Sequence, residues 1–111
     1  MEGTPVRLAR RKTSDWKLGI EKVQDEGDCR YCSRGEPLDP AHLWPRSLGG
    51  SMDRDNIVPL CRECHNLFDS SRLDLLPHLS LDEQLQVVRE SGGIARAYDR
   101  LIGRANFNSR T

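Results

Sequence analysis

Two cysteine pairs of identical spacing constrain this chain more than any other feature of its sequence. Cys29 and Cys32 form the first pair, and Cys61 and Cys64 form the second. Two Cys-x-x-Cys pairs supply four thiolates, and structural zinc prefers four tetrahedral ligands of this kind. The 28 residues between the pairs can hold a hairpin. We therefore predict that a zinc ion ties a knuckle at the first pair to the start of a helix at the second.

Such a staple suits a chain whose own core is small. The 111 residues predict one domain, and only 36% of them are hydrophobic and 5% aromatic, so a large apolar interior is excluded. Unpaired core cysteines are one alternative to zinc. A thiol redox protein is another, but the two-pair layout disagrees with it and a thioredoxin-like βαβ pattern is missing.

The sequence also predicts a cytoplasmic location. Neither the first residues nor any later stretch has an apolar run long enough for a signal peptide or a membrane span. In a reducing compartment, paired thiols serve more readily as metal ligands than as disulfides.

The distribution of charge is more informative than its sum. The 17 basic and 17 acidic side chains give a net charge of zero, which is not the composition of a protein that coats nucleic acid. Residues 1–13 nevertheless form a basic arm. Its cations are Arg7, Arg10, Arg11 and Lys12, and no acidic residue lies among them. Such an arm can follow a phosphate backbone or be a solvated tail, and both interpretations stay open.

Residue patterns predict an α+β fold in the order helix, strand, loop, strand, helix. The predicted elements of residues 14–76 are a helix from Ser14 to Val23, strands Leu38–Trp44 and Asn56–Leu60, and a helix within Cys61–Leu73. Pro40 and Pro59 lack an N–H donor, which restricts these strands to sheet edges or strand ends.

Residues 77–111 are predicted to form a helical extension that packs on this core. Ser80 to Glu83 has the form of a capping box, and the helix that it opens would end at Gly92-Gly93. A further helix is predicted from Ile94 to Ile102. The apolar spacing favours two packing faces, one with Leu81, Leu85 and Val88 and one with Ile94, Tyr98 and Leu101.

Within the loop closed by the cysteines, the chain resembles the HNH endonucleases. The resemblance spans about residues 29 to 69 and includes His42, Asn56 and His65 in order, a Pro-Arg-Ser-x-Gly-Gly loop after His42, and both cysteine pairs. The layout is most similar to that of the small HNH proteins encoded by bacteriophages. It implies a small zinc-stabilised ββα-metal domain, treble-clef-like, with flanking N- and C-terminal helices.

The resemblance implies hydrolysis of DNA phosphodiester bonds with two working histidines. His42 matches the general base that deprotonates water, and imidazole titrates close enough to neutrality for that role. His65 matches the histidine that binds the catalytic divalent metal. Asp69 lies four residues later, so on a helix both side chains share one face and can hold one ion. A carboxylate oxygen favours Mg²⁺ or Mn²⁺, with Zn²⁺ or Ni²⁺ as further options.

The chain departs from the family at Ala41, where the family usually has a metal-binding Asp or His. Either Asp39 replaces that ligand, or His65 and Asp69 hold the ion together with water and phosphate oxygens, and we favour the second. Strand alternation puts Asp39 on the face of Ala41, although Pro40 can interrupt it. Asp39 is therefore the weakest candidate ligand.

The remaining motif residues have positional or binding roles. Asn56 matches the central asparagine, which in the family bonds backbone groups and orients the base. Arg46 can pair with the scissile phosphate or be an ordinary surface arginine. Gly49 and Gly50 allow backbone conformations closed to other residues, which serves either an approach to DNA or a turn of the chain.

These observations predict a metal-dependent DNA endonuclease that nicks one strand as a monomer or cuts both as a weak dimer. From the resemblance alone, a role in phage DNA packaging beside a terminase is expected. The alternative is a non-catalytic treble-clef zinc module that binds nucleic acid or a protein partner, and Ala41 is the best argument for it. No membrane partner is predicted.

Overall fold

A computed structural model describes residues 16–103, and its architecture is α+β. The described part of the chain holds a two-stranded sheet and four α-helices: α1 over residues 16–26, β1 Asp39–His42, β2 Ile57–Leu60, α2 Arg62–Asp69, α3 Leu81–Ser91 and α4 Ile94–Ile102. The predicted α+β class and the order strand, loop, strand, helix are confirmed. The basic arm with Arg7 to Lys12, and the predicted cap Ser14, lie outside the described residues.

The two strands form an antiparallel hairpin with a long loop. Asp39 lies opposite Leu60 and His42 lies opposite Ile57, while Pro40 and Pro59 face each other across the pair. Both strands are shorter than predicted, with four residues each. Because neither proline can donate a ladder hydrogen bond, the pairing stays narrow, as the sequence indicated.

Helix α2 begins where the second cysteine pair was expected to start a helix, and it lies within the predicted range Cys61–Leu73. Cys61 is its extended N-cap residue, and its last residue is Asp69. Ser71 has a φ of 64°, in the left-handed region, so the backbone turns away from the helix there. Phe68 is fully buried and anchors the helix in the core.

The capping box that opens α3 is confirmed, but the predicted apolar face is wrong in part: Val88 packs against the core as expected, whereas the two leucines do not. Ser80 accepts from the backbone N–H of Glu83, and the Glu83 carboxylate accepts from that of Ser80. Leu81 and Leu85 are exposed, whereas Glu83 and Val87 are buried. The cause is electrostatic: Glu83 binds two cations in the interior, so the carboxylate faces inward and the leucines face solvent.

The predicted face of α4 is also wrong in part. Leu101 is buried as expected, but Ile94 and Tyr98 are exposed and Ala97 takes the inner position. The small Ala97 side chain lets the helix lie close to its neighbours. Gly103 follows α4 with a φ of 92°, and a Cβ there would lie 2.8 Å from the carbonyl oxygen of Ser71, so the close approach requires glycine.

One apolar cluster joins the hairpin, α2 and the two C-terminal helices. Its largest fully buried members include Phe68, Leu43, Leu60, Leu75 and Leu101. The backbone N–H of Leu75 donates to the carbonyl of Leu101 at 2.9 Å. The predicted division of the chain at residue 76 stays a prediction. No helix in residues 16–103 has the length and apolarity needed to cross a membrane.

Candidate active site and metal centre

The four cysteines converge on one point, as the spacing predicted. Their sulphur atoms all lie within 4.8 Å of one another, and the Sγ atoms of Cys32 and Cys61 are 3.7 Å apart. Within residues 16–103, this is the one group of three or more metal-ligating side chains whose ligand atoms converge. The arrangement is positioned to hold a metal ion, and four sulphur donors are a set that zinc accepts.

Local backbone geometry brings the two cysteine pairs together. The N–H of Ser33 donates to the carbonyl of Cys29, and Ser33 has a φ of 67°, which closes the knuckle around the first pair. The N–H of Arg30 donates to the carbonyl of Pro59 at 2.8 Å. This bond holds the knuckle against the end of β2, directly before the cysteines that begin α2.

The cysteine cluster shows opposing influences on thiol ionisation. Burial raises the pKa of Cys29, but hydrogen bonds from the backbones of Cys32, Cys61 and Tyr31 lower it to about 7. Burial, followed by neighbouring cysteines, raises the pKa of Cys64 well above its usual range. Four adjacent thiolates repel one another, so a bound cation would stabilise the ionised set.

A separate cleft of about 400 Å³ collects the other motif residues. It is lined by residues from β1, the hairpin loop, α2 and α4, namely Pro40, His42, Pro45, Arg46, Ser47, His65, Asp69 and Arg100. The structure thus brings His42, Arg46, His65 and Asp69 to one place, although 27 positions separate the first from the last. Asn56 lies behind this surface, fully buried.

His42 is the last residue of β1 and is half-buried at the cleft wall. Its Nε2 atom lies 3.3 Å from the Sδ atom of Met52. Burial lowers the pKa of His42, and the nearby Arg46 cation lowers it further. The imidazole is therefore neutral at pH 7 and able to accept a proton.

Asn56 joins the two sides of the hairpin loop through its side chain. Oδ1 accepts from the backbone N–H of Trp44 at 2.8 Å, while Nδ2 donates to the carbonyls of Ser51 at 2.9 Å and Trp44 at 3.2 Å. The backbone carbonyl of Asn56 also accepts from the backbone N–H of Leu43, the residue after His42. Only an amide offers this combination of donors and acceptor, so the geometry suits a positional role for Asn56.

His65 lies between two carboxylates on opposite sides of its ring. Nδ1 is 2.9 Å from Oδ2 of Asp39, and Nε2 is 3.3 Å from Oδ2 of Asp69. Asp39 therefore reaches the motif histidine, but on the ring nitrogen away from Asp69. Ala41 is fully buried and offers no ligand atom. The regular pairing of β1 shows that Pro40 does not interrupt strand alternation.

Two arginines supply positive charge to the cleft. Arg46 begins a 3₁₀ turn and is exposed, and its side chain makes no hydrogen bond or ion pair with other residues of the described range. Arg100, which no sequence pattern singled out, reaches the cleft from α4 and bonds Asp69 at 3.1 Å. The available signal was weak: Arg100 lies three positions after Ala97 and so borders the buried face of its helix.

Gly49 and Gly50 turn the hairpin loop behind Arg46. Gly49 has a φ of 94°, in the left-handed region, and a Cβ on Gly50 would lie 1.8 Å from the carbonyl oxygen of Trp44. The N–H of Gly50 donates to the carbonyl of Pro45. Both glycines are thus required by the fold of the loop itself.

Comparison with known families agrees with this geometry. Residues 29–74 match the family model described as HNH endonuclease. The matched segment contains both cysteine pairs and His42, Asn56, His65 and Asp69, and it confirms the resemblance drawn from the sequence. Comparison with curated proteins gives no match. Comparison with solved structures gives none either.

Proposed function

Because residues 29–74 match the family model described as HNH endonuclease, we propose that this protein is a metal-dependent endonuclease that hydrolyses phosphodiester bonds in DNA. One observation carries the proposal: a single cleft contains the imidazole of His42 beside a second histidine that is paired with a carboxylate, His65 and Asp69. Phosphodiester hydrolysis requires this combination of a base and a site for a divalent cation.

His42 acts as the general base in this proposal. Its pKa lies below the ordinary histidine value because of burial and Arg46, so the side chain is ready to take a proton from water at neutral pH. Met52 lies against Nε2. If Nε2 carries the imidazole proton, Nδ1 is the nitrogen that accepts the proton from water.

His65 and Asp69 are the pair that would hold the catalytic metal. Nε2 of His65 and Oδ2 of Asp69 face each other from one face of α2, and this nitrogen and oxygen donor set suits Mg²⁺ or Mn²⁺, with Zn²⁺ or Ni²⁺ also acceptable. A divalent ion bound there would stabilise the negative charge that develops on the non-bridging and leaving oxygens of the phosphate. Mg²⁺ commonly keeps several water ligands, so two protein ligands suffice.

Asp39 supports His65 from the opposite side of the ring. A carboxylate at Nδ1 accepts the Nδ1–H, which fixes the tautomer and leaves Nε2 for the metal. We therefore assign Asp39 an orienting role rather than that of a direct ligand. Such a carboxylate partner is common for histidines that bind metals.

Arg46 and Asn56 complete the proposed site. The guanidinium of Arg46 is exposed beside the cleft and is the cation that would pair with the scissile phosphate. Asn56 holds the loop between Trp44 and Ser51 and so places both His42 and Arg46. Zinc at the four cysteines would support the whole arrangement, because β2 and α2 meet at that cluster.

A non-catalytic zinc module that binds nucleic acid or a protein is the second candidate. The specific observation in its favour is Ala41, which is apolar and fully buried where the family usually has a metal ligand. Partnership with a phage terminase stays a prediction of the resemblance.

Plasmid nicking separates the two candidates. Zinc-loaded protein is incubated with supercoiled plasmid and Mg²⁺, Mn²⁺ or EDTA, beside the variants His42→Ala and His78→Ala. His78 is the matched control, since it packs on Tyr31 away from the cleft. We expect metal-dependent nicking that is lost in His42→Ala and kept in His78→Ala, with both variants folded by circular dichroism. Retained DNA binding without cleavage under any metal would contradict the nuclease.

Zinc content is tested separately, by metal analysis and by the absorption spectrum after Co²⁺ replacement. One zinc per chain and a spectrum of tetrahedral thiolate coordination are expected. Cys64→Ser should lose the zinc and much of the helical signal, because structural zinc contributes directly to folding. A chain that keeps its fold without zinc would contradict this part of the proposal.

A further inference from the structure

Arg100 makes a set of contacts that tie α4 to the cleft. Its Nε donates to the carbonyl of Leu43 at 2.9 Å, and its Nη2 donates to the carbonyl of His42 at 3.2 Å and to Oδ1 of Asp69 at 3.1 Å. Nη1 donates to the carbonyl of Phe68 at 3.4 Å, and the guanidinium lies 4.0 Å from the centre of the Phe68 ring.

These contacts use most of what the side chain can offer. A guanidinium has five N–H donors in a rigid fork, and four of them are engaged by three backbone carbonyls and one carboxylate. The side chain is only 12% exposed, although it lines the cleft. An arginine held in this way is suited to fixing its neighbours rather than to reaching for a substrate.

The two acceptors of Nη2 belong to different elements of the proposed active site. His42 ends β1, whereas Asp69 ends α2, and Arg100 bonds both from a third element that lies beyond the matched residues 29–74. Because Oδ1 of Asp69 is engaged by Arg100, Oδ2 is the oxygen turned toward Nε2 of His65. A single side chain therefore sets the orientation of a proposed metal ligand and the position of the proposed base.

We propose that Arg100 is a positioning residue of the active site, so that the C-terminal helix is part of the catalytic unit. The proposal rests on the nuclease function proposed above. It gives Arg100 two tasks: to hold the carboxylate of Asp69 for the divalent metal and to fix the end of β1 that carries His42. A lysine keeps the charge but cannot bond a carboxylate and two carbonyls in the same fork.

The test combines metal binding with cleavage in the full chain. Arg100→Lys and Arg100→Ala are compared with wild type and with Arg89→Gln, a control on the exposed side of α3 where the arginine bonds only Gln86. Mn²⁺ affinity is measured by isothermal titration calorimetry on zinc-loaded protein, and plasmid nicking is measured with Mn²⁺. Zinc content and circular dichroism check the fold of each variant.

We expect Arg100→Lys to bind Mn²⁺ and to nick plasmid about 10- to 100-fold less well than wild type, the loss typical of an outer partner of a metal ligand. Arg89→Gln should match wild type. Added guanidinium should restore part of the nicking by Arg100→Ala, because it can occupy the space that the side chain leaves. If Arg100→Lys is not folded, this rescue in a folded Arg100→Ala carries the test.

The outcomes separate this inference from the proposed function. If wild type does not bind Mn²⁺, or if His65→Ala binds Mn²⁺ as tightly as wild type, the nuclease proposal fails. If wild type binds and cuts but Arg100→Lys behaves identically, only the role of Arg100 fails. Unchanged Mn²⁺ affinity in Arg100→Lys would overturn the task of Arg100 at Asp69, and unchanged nicking would overturn its task at His42.

Discussion

Asp39 Oδ2 lies 2.9 Å from Nδ1 of His65, across the gap between the first strand and the helix that follows the second. Ala41 occupies the position where the family usually has a ligand. Asp39 lies two residues earlier on the same strand, so its side chain leaves the same face of the hairpin. In the proposed site, the Asp39 carboxylate partly replaces the missing ligand by acting through the histidine.

This relationship predicts that Asp39→Asn weakens the metal site without removing it. The amide is a poorer acceptor for Nδ1–H, so His65 becomes less basic and less well oriented. We expect Mn²⁺ affinity and nicking to fall about 10- to 100-fold, measured by calorimetry and plasmid cleavage. Asp25→Asn, on the exposed side of α1, is the control. Complete loss of Mn²⁺ binding in Asp39→Asn would instead indicate that Asp39 is a direct ligand.

The pH dependence of nicking should report the ionisation of His42. Burial and Arg46 lower its pKa below 6.5, and the base must be unprotonated, so activity should rise with pH through a midpoint below 6.5 and level off above it. Arg46→Gln removes the second-largest cause of this lowered pKa. The midpoint should therefore shift to higher pH in this variant, whatever happens to the maximal rate.

Initial nicking rates from pH 5 to 8 at saturating Mn²⁺ measure this midpoint. Arg72→Gln, an exposed arginine beyond the end of α2, controls for the loss of a surface charge. If the midpoint of the pH dependence is the same in Arg46→Gln as in wild type, the electrostatic link between Arg46 and His42 is contradicted.

The sequence predicted which residues meet at the cysteine cluster and in the cleft better than it predicted the packing of α3 and α4. Cysteine spacing and the order of His42, Asn56 and His65 are local signals, and the cysteine cluster and the cleft follow from them. The predicted faces of α3 and α4 were wrong in part, because Glu83 and Ala97 take inner positions that were expected for larger apolar residues. Arg100 was missed because its partners are 31 or more positions away, a separation that no local pattern encodes.

Asn56 supports a prediction about stability rather than catalysis alone. Asn56→Ala leaves the N–H of Trp44 without its acceptor in a fully buried site, and one unsatisfied buried group costs roughly 1–3 kcal/mol. Asn56→Asp keeps the shape but turns a donor into an acceptor that faces the carbonyls of Trp44 and Ser51. We expect both variants to unfold at lower urea concentration than wild type, with Asn56→Asp affected at least as strongly.

The control for Asn56 is Asn66→Ala, an exposed position on α2, which should change the urea midpoint little. Because Asn56 holds the loop that carries Arg46, the nicking rate of folded Asn56→Ala should fall as well. Unchanged stability in Asn56→Ala would contradict the three side-chain hydrogen bonds found in the structure.

Glu83 anchors a buried ion-pair network between α1, the cysteine knuckle and α3. Its carboxylate accepts from Nζ of Lys22 at 2.7 Å and from Nη1 of Arg30 at 2.6 Å. Burial raises the pKa of Glu83, but the hydrogen bonds from Arg30 and Lys22 outweigh this and lower it to about 2. Lys22 is itself buried and also donates to the carbonyl of Arg54, so removing the carboxylate would leave a buried cation without its counter-charge.

Glu83→Gln is therefore predicted to destabilise the fold by about 3–5 kcal/mol, the usual cost of removing one partner of a buried ion pair. A lowered carboxyl pKa stabilises the folded state fully above the ordinary value of 4.5, and this contribution is lost as the pH falls toward about 2. Urea unfolding of zinc-loaded protein at pH 7.5 should show the full difference between wild type and Glu83→Gln, and the difference should narrow below pH 4.5. Glu21→Gln, exposed on α1, should match wild type. Equal stability of wild type and Glu83→Gln at pH 7.5 would mean that the network contributes no more than a neutral hydrogen-bonded amide in its place.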